Sequence, residues 1–357
     1  MRILFITATP FNVIGGSGTF VGIRTLMESL RARGAIVDVK VPTLRFPIYT
    51  AQRLLFNQSL RFFRPNQYDV IVGFDMDGCW LPPTPGQPHV ASIKGVIADE
   101  MRFETAMTKA TMGVQAACEK LHIQRADLVI TTSAYAAKAI QNYYGIRQAP
   151  LVVPELIDLS AWREKSEAFF AIPDESKFVV LSVCRFYRRK RLNILVGAAN
   201  RLRGRIPGLE IRIVGGGPER QRLQRICRER KLDQLVTWRI DIDQEELLKE
   251  YQRCNVFCLP SVQEGFGIVF LEAMASGKPI VAANAGAAPE VVQHGLLVEP
   301  DSEDALAQAL EQLYADSKLR KTLGTAGQEF VKQFDAPIIA ERFLNALGRA
   351  VATKASV

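Results

Sequence analysis

Short apolar runs alternate with longer stretches of helical period along most of this chain. Arg2–Thr7, Ile36–Val41, Val70–Gly73, Val90–Ile93 and Leu128–Thr132 have the length and composition of buried strands. Between them, Thr19–Arg33 sets Phe20, Ile23, Leu26, Met27 and Leu30 on one side of a helix, and Met107–Arg125 and Ser133–Tyr144 read as helices too. The prolines at Pro82, Pro83, Pro85 and Pro88 mark a loop. A second series of strands starts at Phe178–Val183 and continues with Glu210–Val214, Leu235–Trp238, Val256–Leu259 and Ile280–Ala283, again with helices between. Strands alternating with helices build parallel sheets. Two such series predict an α/β chain of two doubly wound, Rossmann-like domains, with the switch between Pro154 and Pro173. Helical stretches run from Ser302 to Gln333, and a last helix from about Ala336 to Val351. The expected domains are 1–165, 166–335 and a C-terminal helix in 336–357.

Composition narrows the class. A chain of 357 residues, 48% hydrophobic and 23% charged, builds a large core without a metal or disulfide staple. The six cysteines form no Cys-x-x-Cys pair and read as buried thiols, which suits a reducing cytoplasm. Three scattered histidines argue against a His-based metal site. The apolar run at Met1–Thr7 is too short for a signal peptide, and no window is long and apolar enough to span a membrane. The formal charge of +8 is clustered: Arg185–Arg191, Arg220–Lys231, and Arg45, Arg53, Arg61 and Arg64 interleaved with Leu54, Leu55, Phe56, Leu60, Phe62 and Phe63. Such charge serves nucleic acid, an anionic membrane or a phosphorylated substrate, or it simply solvates exposed faces.

The chemistry concentrates in Glu264-Gly-Phe-Gly-Ile-Val-Phe-Leu-Glu272. A strand ending at Cys258-Leu-Pro-Ser leads into a glycine loop and then a helix. Gly265 and Gly267, with Phe266 between them, let the backbone approach a ligand. Two carboxylates, one on the loop and one in the helix, suit a hydroxyl-rich ligand. Arg185 and Lys190 stand five apart after the strand Phe178–Val183, where a planar fork and a mobile ammonium can grip a diphosphate. Gly15-Gly-Ser-Gly18 opens a helix after the first strand, and its backbone amides can serve the same anion. Val214-Gly-Gly-Gly-Pro218 is a tight turn with a structural or a ligand role.

These motifs together resemble retaining glycosyltransferases of family 4, the glycosyl transferases group 1. The resemblance covers nearly the whole chain and is most specific in its second half. It implies the GT-B fold, two Rossmann-like domains facing across a cleft and closing around a nucleotide diphosphate sugar. It implies that Glu264 approaches the donor sugar, that Glu272 binds the ribose, and that Arg185 and Lys190 neutralise the diphosphate as it leaves. The catalytic set is then Arg185, Lys190 and Glu264. The substrate-binding set is Gly15, Gly16, Lys94, Glu100, Gly215, Arg239, Gly265, Phe266, Gly267 and Glu272. Arg239 lies in the region that faces the nucleobase in the family, and the final helix of the family crosses back onto the first domain. A diphosphate oxygen assists removal of the acceptor's proton in that mechanism. No metal and no cofactor beyond the co-substrate are implied, so Asp75-Met-Asp77 is not read as a metal clamp, although a role near the acceptor stays open.

The chain departs from the family pattern in three places. Cys184 and Arg191 replace glycines beside the cation pair. Glu155-Leu156 replaces Asn-Gly in the linker Val152-Val-Pro-Glu-Leu-Ile-Asp158. Lys94 stands where the family often has a histidine near the reaction centre, with Asp99 and Glu100 as nearby acids. The expected partners are a nucleotide sugar and a hydroxyl acceptor, a lipid or cell-envelope precursor, with peripheral contact to an anionic membrane at the cytoplasmic face and no nucleic acid. The alternatives are an epimerase on the same fold and a non-catalytic nucleotide or nucleic-acid binder.

Overall fold

A computed structural model describes residues 1–9, 18–43 and 48–356. The chain divides into two compact units, Met1–Leu156 with Ala336–Val357, and Ile157–Asp335.

The first unit holds a six-stranded parallel sheet of β1 (Arg2–Ile6), β2 (Ile36–Lys40), β3 (Val70–Phe74), β4 (His89–Ile93), β5 (Leu128–Thr131) and β6 (Leu151–Val152), in the order β2-β1-β3-β4-β5-β6. Alternate residues of β1 feed opposite faces. Ile3 and Phe5 join Ile23, Leu26 and Leu30 of the helix Gly18–Ala32 and Ile339, Phe343 and Leu347 of the helix Ala336–Ala355. Leu4 and Ile6 pack with Phe56 and Leu60 on the other face. That second face includes the helix Tyr49–Leu60, whose buried residues are Arg53, Phe56, Asn57 and Leu60. Two of these four are polar, so the helical period is hidden from a hydrophobicity reading, and the stretch reads there only as a basic, aromatic run.

The second unit holds β7 (Phe178–Val183), β8 (Leu209–Val214), β9 (Val236–Arg239), β10 (Val256–Leu259), β11 (Ile280–Ala283) and β12 (Leu296–Val298), all parallel, in the order β12-β11-β10-β7-β8-β9. Phe178 and Val180 face a core with the helices Leu192–Leu202 and Glu303–Ala315, while Val179 and Leu181 face Tyr251, Phe270 and Leu271. The helix Leu159–Ala168 belongs to this unit, and Trp162 Nε1 donates to Ser276 Oγ at 3.2 Å. Strand order reverses between β7 and β10, and crevices at such switch points take ligands at the carboxyl ends of the strands.

Candidate active site

The loops leaving β7 and β10 are joined at that switch point. The Arg189 carbonyl accepts from the Val262 amide at 2.9 Å and from Ser261 Oγ at 3.2 Å. This brings Lys190 onto Glu264, with Nζ 2.6 Å from Oε1 and both side chains about nine-tenths buried. Ammonium groups carry three donors, so a Lys190 bonded to one carboxylate retains donors for a second anion. Glu264 is also held by its main chain, since its carbonyl accepts from the Ala287 amide at 3.1 Å. Arg185 lies half-buried on the same loop as Lys190.

The glycine turn after β8 shapes that loop. Gly215 has φ +126°, and a Cβ there would lie 2.1 Å from the Cys184 carbonyl oxygen. Phe186 donates its amide to the Gly216 carbonyl at 2.9 Å, and Glu219 donates to the Phe186 carbonyl at 3.0 Å. The turn therefore buttresses the residues around Arg185.

Gly265, Phe266 and Gly267 lead into the helix Ile268–Ala275, which carries Glu272. The Phe266 ring is buried against Phe334, with centroids 5.6 Å apart. Packing holds the ring in the core and leaves its main chain on the loop. Glu272 accepts from the Tyr251 hydroxyl at 2.7 Å. Burial pushes the Glu272 carboxyl up to about 7, and the hydrogen bond from Tyr251 only partly offsets it. Tyr251 could not have been found from spacing, since it comes from the helix Gln244–Arg253.

Arg239 ends β9 inside an ion network. Its guanidinium lies 2.9 Å from Glu246 and 3.2 Å from Glu250, and Glu250 also takes Arg212 at 3.3 Å. Its charge is compensated within the fold, at the end of β9 in the region expected to face the nucleobase.

In the first unit, Gly15 and Gly16 lie outside the described residues. Lys94 follows β4, and its Nζ sits 3.1 Å from both Glu155 oxygens, each side chain more than nine-tenths buried. Two separate departures from the family pattern thus meet as one ion pair. Gly22 makes room for it, as a Cβ there would lie 2.5 Å from Glu155 Oε2. Glu100 is half-buried near Gly95. Asp99 is taken by Tyr135 Oη and by Arg102, each at 2.6 Å, and so serves the fold. Asp77 is fully buried and bonded to Arg53 and Asn57. Arg53, only 5% exposed, is therefore unable to touch a membrane, contrary to its place in the basic surface cluster.

This chain is similar to several known proteins. Residues 164–330 match the family model of glycosyl transferases group 1. A Mycobacterium tuberculosis protein named GDP-mannose-dependent alpha-(1-6)-phosphatidylinositol monomannoside mannosyltransferase is 31% identical over 219 residues, which is 57% of each chain. This chain thus spans a little over half the length of that relative. The D-inositol 3-phosphate glycosyltransferase of Corynebacterium aurimucosum is 28% identical over 305 residues, 78% of this chain and 71% of its own. Among solved structures, a sucrose-phosphate synthase from Thermosynechococcus elongatus superposes with a TM-score of 0.82 over 99% of both chains at 24% identity, a likeness of fold. Residues 164–330 thus carry a group 1 glycosyl transferase domain, and with its two six-stranded parallel sheets the chain has the GT-B fold.

Proposed function

We propose that this protein transfers a sugar from a nucleotide diphosphate sugar to a hydroxyl acceptor, with retention of anomeric configuration and without a metal. One observation carries the reading: loops 74 residues apart in sequence bring Lys190 and Glu264 to 2.6 Å at the switch point of the second sheet, with Arg185 and Glu272 on the same two loop–helix segments. Arg185 and Lys190 hold the diphosphate and stabilise the charge it gains as the glycosidic bond breaks. Glu264 orients the sugar and keeps Lys190 in place. Glu272 accepts hydrogen bonds from the ribose hydroxyls.

The acceptor is a lipid or cell-envelope glycan precursor at the cytoplasmic face of a membrane. The name of the mycobacterial relative, which acts on a phosphatidylinositol mannoside, favours this class. So does the surface of the helix Tyr49–Leu60 and its flanks, where Ile48, Leu55 and Phe62, spaced by seven, are 62%, 57% and 85% exposed beside the exposed Arg61 and Arg64. Among the described residues no helix is long and apolar enough to cross a membrane. Nucleic acid is disfavoured because part of the second unit's arginine clusters is compensated: Arg188 and Arg222 pair with Glu219, Arg191 with Asp301 and Arg230 with Glu303.

The test is to incubate the protein with UDP-glucose or GDP-mannose and a bacterial lipid extract, following diphosphate release and the anomeric signals of the product by NMR. An axial donor giving an axial product supports the reading. Inverted product sinks the retaining assignment, and a converted donor sugar without acceptor indicates an epimerase. Flotation with liposomes containing or lacking anionic lipid tests the membrane contact, which fails if capture is equal at low salt.

A further inference from the structure

The two oxygens of the Glu272 carboxylate have different settings, both fixed within the second unit. Oε2 accepts from the Tyr251 hydroxyl at 2.7 Å. Among the described residues Oε1 has no protein partner, and the side chain is half-buried. The other acceptor near that hydroxyl is the Val269 carbonyl at 3.5 Å, so the single proton of Tyr251 goes to Glu272. Tyr251 cannot swing away. It is fully buried, stacked on Phe257 with ring centroids 5.8 Å apart and met edge-on by Trp162 at 5.6 Å. Trp162 is tied in turn to Ser276 at 3.2 Å, just past the helix that carries Glu272.

A rigid donor behind one oxygen fixes the rotamer of the carboxylate and leaves the other oxygen to a ligand. Fixing a side chain before binding removes part of the ordering cost that a ligand would otherwise meet. An acceptor held in this way rewards a hydroxyl and is left unpaired by an analogue that lacks it. Glu272 stands on the helix Ile268–Ala275, which follows the loop of β10 at the switch point. Burial raises its carboxyl to about 7, and the bond from Tyr251 pulls it partly back. Burial and the neighbouring Glu272 hold the Tyr251 hydroxyl well above its ordinary range, so it stays a donor at neutral pH. Among the described residues no other ionisable group acts on Glu272: the helix Leu159–Ala168 brings Trp162 to Tyr251, the helix Ser317–Phe330 brings Gln328 to Gly277, and the Cys254 and Cys184 thiols act on Tyr251 instead.

We propose that Tyr251 is the positioning residue for ribose recognition: it pins Glu272 Oε2, keeps Oε1 free to accept from the ribose hydroxyls, and so makes the site select ribonucleoside diphosphates over their deoxy counterparts. Tyr251, sealed from solvent, acts through Glu272 and not on the ligand. This rests on the transferase reading above, in which Glu272 meets the ribose. The ionised carboxylate is the better acceptor, so the selectivity grows as pH rises through about 7.

The probes are UDP, GDP and ADP with their 2′-deoxy and 3′-deoxy analogues, titrated by calorimetry into wild type and Tyr251→Phe from pH 5.5 to 8.5. At pH 8.5 the wild type should bind one ribonucleoside diphosphate at least about tenfold more tightly than one of its deoxy analogues, as loss of a hydrogen bond to a charged group requires. That ratio should shrink toward pH 5.5. Tyr251→Phe keeps the ring and its stacking. It should bind the deoxy analogue as the wild type does and hold the ratio to about threefold or less. What pH dependence remains should move upward, because the Glu272 carboxyl loses the bond that favours its charged form. A purely structural Tyr251 would leave both the ratio and the pH midpoint in place, and that result in the folded variant overturns the proposal. So does a wild type that binds a diphosphate without preferring the ribose form, or with a ratio level across the pH range. If none of the three ribonucleoside diphosphates binds the wild type, the transferase reading itself has failed, and the proposal with it. Should Tyr251→Phe not fold, Glu272→Asp takes its place: it keeps the charge but draws it back from Tyr251, the same loss of ratio is expected, and an unchanged ratio again overturns the proposal.

Discussion

The two sheets each end in a charged cluster at their switch point, and the clusters are built differently. In the second unit, Lys190 and Glu264 belong to motifs whose spacing marks them, and backbone bonds between the two loops bring them together. In the first, Lys94 meets Glu155, and Asp75 is separated from Asp77, through contacts made by residues from four different segments. A site set by the turn of a backbone repeats as a motif. A site set by side-chain partnership, such as the Lys94–Glu155 pair, rests on contacts between distant segments that no local spacing marks.

The largest expected effect lies in the support of the first cluster. Arg53→Ala leaves Asp77 buried without its main cation, which should cost about 3–5 kcal/mol. Urea denaturation of this variant should show that loss, whereas Arg185→Ala in the second unit should leave the midpoint unchanged. A mild effect of Arg53→Ala would mean that Asp77 is not the anchor described.

The Lys94–Glu155 pair comes next. Lys94→Met strands a buried carboxylate and should destabilise by about 3 kcal/mol, while Lys94→Met with Glu155→Leu should recover most of the loss. A double variant no better than the sum of its singles would show that the two departures are unrelated.

Glu272 sharpens the comparison through pH. Its folded pKa of about 7 stands above the ordinary 4.5, so the folded state holds the proton more tightly than the unfolded one. The resulting stability is fully present below about 4.5 and is lost as pH rises through about 7, by at most about 3 kcal/mol. Glu272→Gln should therefore melt higher than wild type at pH 8 and match it at pH 4.5, while binding nucleotide diphosphate more weakly. Identical melting curves at pH 8 would remove the burial argument.

Arg191 gives the smallest effect. It occupies the left-handed region at φ +52°, where the family has glycine, and pairs with Asp301 at 2.6 Å. Arg191→Gly relieves about 1 kcal/mol of strain and loses a partly exposed ion pair worth about as much. A change beyond about 1 kcal/mol in either direction would show that one of these terms is misjudged.

Much of this was legible in the residues. The alternation of buried strands with helices is periodic, and both six-stranded sheets follow from it, apart from the short β6 and β12, which are too brief to carry a pattern. The Lys190–Glu264 encounter follows from two strand ends adjoining at a switch point. The helix Tyr49–Leu60 was hidden because its buried face carries Arg53 and Asn57. Tyr251 beneath Glu272, and the contrast between Asp75 and Asp77, depend on residues 19 or more positions away, which no local spacing encodes.

The central claim is that the loops after β7 and β10 bind a nucleotide diphosphate, and calorimetric titration of UDP, GDP and ADP into wild type and Arg185→Ala tests it most directly. One of the three should bind the wild type and bind the folded variant at least about tenfold more weakly, as loss of a charge-assisted contact requires. Binding of none of them to the wild type, or equal binding to both proteins, would contradict the account.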